Sequence, residues 1–167
     1  MPAVNLNHVS VSALDLETSL RFYEDLFGVE RIPTPNFGFP VQWTRVGPLQ
    51  LHLFERPGAA PHSHHFALTV DDIDDVFARA TALDAFDRTT FGHHVYELPG
   101  GEVQLYLRDP GGNLVEVDWP SVATAGAAVR AQIRPLSEGR PQTAENMQAR
   151  LFLDPHPGRV RGDPHGA

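Results

Sequence analysis

LYLRDPGGNLVEV, residues 105–117, reads as two apolar-alternating strands joined by a turn, because Asp109, Pro110, Gly111, Gly112 and Asn113 all initiate turns or tolerate positive φ. In the second strand Val115 and Val117 share one face, and Glu116 lies on the other with Leu114 and Asp118. A glutamate buried in an apolar strand is costly unless a cation or a set of donors receives it. Something must sit against Glu116, and the nine histidines of the chain are the first candidates.

Working outward, the same kind of unit is found twice. Residues 5–12 (NLNHVSVS) alternate as a half-buried strand, with His8 on its polar face. Asp15 is the expected N-cap of a helix over about 16–27, whose stripe is Leu16, Leu20, Tyr23 and Phe27 and whose stop is Gly28. Short strands at 29–32, 41–46 and 49–55 follow, the last with Leu49, Leu51 and Leu53 on one face and Gln50, His52 and Phe54 on the other. Residues 56–63 read as a linker. HFALTVDDI (65–73) then matches HVSVSALDL (8–16) at a constant offset of 57 residues, placing His65 on His8 and Asp72 on Asp15. Its helix carries the stripe Ile73, Val76, Phe77, Ala80 and Leu83, and strands near 93–98 and 102–107 lead to the Glu116 strand.

The expected fold is α+β: two tandem βαβββ modules, 4–56 and 64–119, forming a curved, partly open mixed sheet or barrel around a metal site. The C-terminal extension, 120–167, fits neither copy. Helices are expected at 122–133 and 143–153, with disorder over 154–167.

Composition narrows the chemistry. At 167 residues and 41% hydrophobic content the chain can bury a real core. A net charge of −8 argues against nucleic acid and anionic membranes as partners, so a small oxygenated organic substrate is expected. There is no cysteine and no lysine, which excludes disulfides, thiolate sites and Schiff-base chemistry. No segment approaches a membrane span and the N-terminus lacks a basic, apolar leader pattern, so a cytoplasmic location is expected.

His8 and His65 begin the first strand of each copy, and His52 and Glu116 occupy equivalent places on the last. All four lie on polar faces, so two face-to-face modules are expected to bring them onto one internal surface. Two histidines and one carboxylate bind a divalent metal and leave positions open for substrate. Asp71, Asp72, Asp74 and Asp75 lack calcium-loop spacing and read as helix N-terminal charges. His62 and His64 read as solvated linker residues, and Gly111 and Gly112 as turn residues.

With NHVSV, the LETSLRFYEDLFGV helix, HHFALTVDDIDD and YLRDPGGNLVEV in view, residues 4–119 resemble the vicinal oxygen chelate superfamily of glyoxalases, bleomycin- and fosfomycin-resistance proteins, methylmalonyl-CoA epimerases and extradiol dioxygenases. The resemblance implies metal ligation by His8, His65 and Glu116, with one divalent ion (Fe, Mn, Ni or Zn), and a homodimer. Several members carry Glu or Gln where this chain has His52, which is read as a fourth ligand or a pocket wall. LYLRDPGGNLVE also fits the downstream half of the extradiol ring-cleavage signature, with Tyr106 and His94 as the candidate acid/base pair, although ELPGG lengthens the hairpin between them. The expectation leans to an extradiol-type dioxygenase. A redox-neutral glyoxalase-type lyase or epimerase, and a metal-free drug-binding protein, are the alternatives.

Overall fold

The computed structural model describes residues 6–151 and 153. The first module contains β1 (His8–Ala13), α1 (Leu16–Phe27), β2 (Glu30–Ile32), β3 (Val41–Val46) and β4 (Leu49–Glu55). Its sheet runs β1-β4-β3-β2, with β1 parallel to β4 and the other pairs antiparallel. The second module repeats this with β5 (His65–Thr69), α2 (Ile73–Ala82), β6 (Val95–Glu97), β7 (Val103–Arg108) and β8 (Leu114–Trp119). Here β5 is parallel to β8 and β7 lies between β8 and β6. These are two mixed sheets of four and five strands, open and not closed into a barrel.

The helices start and stop where local chemistry dictates. Asp15 accepts a hydrogen bond from the Thr18 amide at 2.7 Å, and Gly28 takes the left-handed conformation at φ +61° that closes α1. Asp72 caps α2 through the amides of Asp74 and Asp75. Leu83, expected on the buried stripe, is instead 55% exposed, because α2 ends at Ala82 and the cap residue turns off the packed face.

A single apolar cluster joins the modules. Leu20, Tyr23, Leu51 and Leu53 of the first pack with Leu68, Ile73, Phe77, Leu105, Val115 and Val117 of the second. Each fully buried aliphatic side chain contributes roughly 1.5–3 kcal/mol. The DPGGN turn is the polar latch between the halves. Tyr23 donates to Asp109 Oδ2 at 2.7 Å, Asn113 Nδ2 donates to the Ser12 carbonyl at 2.8 Å, and a Cβ at Gly111 would lie 2.6 Å from that same carbonyl oxygen. The turn thus packs against the end of β1, which is why it has no room for a side chain at Gly111.

The extension departs from the sequence expectation. In place of a helix over 122–133 there are a 3-10 turn at Val122–Thr124 and one helical turn, α3 (Ala127–Arg130). A two-residue strand, β9 (Arg134–Pro135), then pairs parallel with β6 and extends the second sheet, and α4 (Leu136–Gly139) follows. Leu136 packs against Tyr96, Tyr106 and Leu114. Alanine content favours helix, but the open edge of β6 offers unpaired backbone groups that the extension satisfies. Over 143–153 the described residues form only a 3-10 turn, Asn146–Gln148. The expected disorder over 154–167 lies outside the described residues.

Candidate functional site

The alternation of β4 sends Leu51 and Leu53 into the core and leaves Gln50, His52 and Phe54 on the other face. Register then decides their neighbours: Trp43 of β3 is directly opposite His52, and Ser10 of β1 flanks it on the other side. The rings form a stack, with His52 4.4 Å from Trp43 at 8° and 4.5 Å from His8 at 15°. A cavity of about 610 Å³ opens here, lined in part by His8, Phe37, Trp43, His52 and Phe54. His8 Nδ1 donates to Asn7 Oδ1 at 2.5 Å, which leaves its Nε2 with the lone pair. His52 donates from Nε2 to Gln50 Oε1 at 2.8 Å, and burial, with His8 beside it, lowers its pKa.

The second module builds its own wall. Glu116 is paired with Ala67 of β5 on one side and Tyr106 of β7 on the other. His65 Nε2 lies 3.3 Å from Glu116 Oε2. Its Nδ1 donates to the Ser63 carbonyl at 3.0 Å, so in the neutral ring Nε2 is an acceptor facing a second acceptor. Gln104 Nε2 donates to Glu116 Oε1, and the Tyr106 hydroxyl donates to Gln104 Oε1 at 3.1 Å. Burial, then the nearby Glu116 carboxylate, pushes the Tyr106 hydroxyl well above the usual phenol range. Burial beside Glu116 likewise raises the Asp118 carboxyl, whose buried Oδ1 has no partner among the described residues.

The six residues singled out from the sequence therefore fall in three places. His8 and His52 stand together on the first module; His65, Glu116 and Tyr106 stand together on the second. Among the described residues no group of three or more histidine, aspartate or glutamate side chains gathers within reach of one ion, so the expected triad of His8, His65 and Glu116 is not assembled within a single copy. The two modules are joined through the shared apolar cluster and the DPGGN latch. His94 is in the third place: its ring packs 4.6 Å from Phe86 and 6.5 Å from Phe77, on the helix side of the sheet, and is 3% exposed. It does not approach Glu116. The cause is local, since β6 starts only at Val95 and His94 precedes the regular alternation.

Sequence reading missed Trp43, Gln104 and Asp118. Each was available from hairpin register: the Gly47–Pro48 turn sets Trp43 against His52, and the DPGGN turn sets Gln104 against Asp118.

The residues fit a divalent ion by the chemistry of their donors. The 3.3 Å between His65 Nε2 and Glu116 Oε2 matches the span of two ligand atoms bound to one ion at about 2.0–2.2 Å. A hydrogen bond from the remote ring nitrogen to a backbone carbonyl is the usual companion of histidine ligation. His52 fits less well, because near-parallel stacked rings direct their in-plane lone pairs along parallel lines that do not meet at one ion.

Comparison with known proteins agrees with this architecture. A family model for the glyoxalase/bleomycin resistance protein/dioxygenase superfamily matches residues 5–117. The mitochondrial methylmalonyl-CoA epimerase of Mus musculus is 28% identical over 131 residues, covering 68% of this chain and 71% of that protein. The crystal structure of lactoylglutathione lyase from Agrobacterium tumefaciens is 28% identical with a TM-score of 0.55, covering 71% of this chain and 95% of that one. A fosfomycin resistance protein of Listeria monocytogenes, solved with Mn(II) and 1S,2S-dihydroxypropylphosphonic acid, has a TM-score of 0.57 at 16% identity over 77% of this chain and 98% of that one, which speaks to the fold alone. By this match across most of its two modules, the chain belongs to the glyoxalase/bleomycin resistance protein/dioxygenase superfamily.

Proposed function

We propose that this protein is a metal-dependent, redox-neutral enzyme of the epimerase or lyase kind, acting on a small substrate that presents two neighbouring oxygens. The observation that carries the reading is the His65–Glu116 pair, with Nε2 and Oε2 3.3 Å apart and the other ring nitrogen of His65 held by the Ser63 carbonyl. The site is completed by a second copy: His8 of one copy meets His65 and Glu116 of another, and the stacked His52 and Trp43 rings form the wall. A divalent ion bound there supplies Lewis-acid polarisation of the chelated oxygens. His8 and His65 hold it through Nε2, Glu116 through Oε2, and the aromatic wall excludes water. The Glu116 carboxylate would be the base that takes the proton from the carbon beside the polarised carbonyl. The likeness to methylmalonyl-CoA epimerase and lactoylglutathione lyase supports this class.

The extradiol-type reading keeps one supporting observation, Tyr106 directly across from Glu116 and beside His65, with ring centroids 6.3 Å apart. It loses support where His94 packs into the core and where Asp109 is taken up by Tyr23.

Two measurements decide. Zinc-, manganese- and iron(II)-loaded protein is incubated with 2-carboxyacyl thioesters, hemithioacetals and catechols, following proton exchange in D₂O by NMR and oxygen uptake with an electrode. Exchange without oxygen uptake is expected; uptake with a catechol and no exchange would select the dioxygenase. For the shared site, His8→Ala and Glu116→Ala proteins are unfolded together and refolded. Recovery of about one metal per four chains is expected, because the mixed dimers, about half of the total, each hold one intact site, and no recovery would place the site within a single copy.

A further inference from the structure

Glu116 sits at the end of a flexible side chain and has two equivalent oxygens. Nothing in its backbone position determines whether it presents one or both to an ion. The hydrogen bonds around it do. The Gln104 amide meets Oε1 with its NH₂ group. That leaves the Gln104 carbonyl oxygen for a donor, and the Tyr106 hydroxyl at 3.1 Å is that donor. The chain is directed throughout, Tyr106 to Gln104 to Glu116 Oε1, and its end leaves Oε2 on the side of His65.

The strand register makes the arrangement rigid. Gln104 and Tyr106 are successive residues on one face of β7, and they lie across from Asp118 and Glu116 of β8. Phe91 packs on the Tyr106 ring at 4.7 Å, and Leu136 of the extension packs on Tyr96 and Tyr106. The hydroxyl is thereby fixed from behind by residues outside both modules' ligand strands.

We propose that Gln104 is a positioning residue that holds Glu116 as a one-oxygen ligand, so that the second coordination position beside it stays open for a two-oxygen substrate. This rests on the reading of Glu116 as a metal ligand. With Gln104 removed, Oε1 turns toward the ion, the carboxylate binds through both oxygens, and a chelating substrate meets a filled position.

The test uses full-length protein loaded with Co(II) and probed with acetohydroxamate, a small two-oxygen chelator. Gln104→Met keeps the volume and loses both hydrogen bonds. The expected result is a changed Co(II) visible spectrum and acetohydroxamate binding weakened about tenfold or more, the scale on which residues supporting metal ligands act. Tyr106→Phe shifts both in the same direction by less, since the amide loses its anchor but keeps its bond to Glu116. A residue that only stabilised the fold would lower the unfolding midpoint of the metal-free protein and leave the Co(II) spectrum and chelator affinity of the folded, loaded protein unchanged. An unchanged spectrum and chelator affinity in Gln104→Met, with Glu116→Ala altering both, would overturn the proposal and leave the metal reading standing. Co(II) binding unaffected by Glu116→Ala would overturn both.

Discussion

Tyr23 of α1 and Asp109 of the DPGGN turn are joined by a buried hydrogen bond of 2.7 Å that spans the two modules. Tyr23 is fully buried and Asp109 4% exposed, and burial, the dominant cause, raises the pKa of both. Tyr23→Phe leaves the acid short of a donor it cannot replace with water. The unfolding free energy is expected to fall by about 1–3 kcal/mol. Urea denaturation with an unchanged midpoint would show that this contact does not latch the halves.

The same latch makes Gly111 indispensable for a reason of space. Its Cβ would lie 2.6 Å from the Ser12 carbonyl oxygen, a backbone atom with no freedom to move. Gly111→Ala is expected to destabilise by about 1–3 kcal/mol. Gly139→Ala, with open space around it, serves as the control and stays within about 0.5 kcal/mol. Equal thermal midpoints for the two variants would contradict the close approach.

His94 gives the fold an acid sensitivity. Burial, then the neighbouring His93 and nearby arginines, lowers its pKa from 6.5 to about 4. The folded state thus binds the proton more weakly than the unfolded chain. The neutral ring's contribution is whole above pH 6.5 and is lost as pH falls from there toward 4, by up to roughly 3 kcal/mol. His94→Leu should flatten the stability profile between pH 6.5 and 4 in urea titrations, and a profile that keeps its slope would assign the sensitivity elsewhere.

Metal uptake separates ligand from wall. His8→Ala, His65→Ala and Glu116→Ala are each expected to lose bound metal by elemental analysis, with affinities lowered by more than about a hundredfold, beyond the range of supporting residues. His52→Ala is expected to keep the metal, because its ring is stacked between His8 and Trp43. Loss of metal in His52→Ala would make it a fourth ligand.

How much of this was legible depended on the range of the interaction. Asp15, Gly28 and Asp72 act within a few residues of themselves, and the helices they bound were readable from spacing. The match of His8 with His65 was readable because duplication preserves strand order. By contrast, His94 falls one residue outside β6, where alternation no longer predicts a face. The extension's helix gave way to β9 because an open sheet edge outweighs the propensity of an alanine-rich segment.

The chain alone fixed two copies of one βαβββ unit and which side chains share a strand face, since caps and alternation are local properties. Only the tertiary structure decided that DPGGN is a latch, that the polar faces carry their residues as separate pairs, and that Gln104 stands between Tyr106 and Glu116. Those outcomes turn on packing and register between residues up to a hundred positions apart, where many pairings satisfy the same local pattern and the filling of one shared core selects among them.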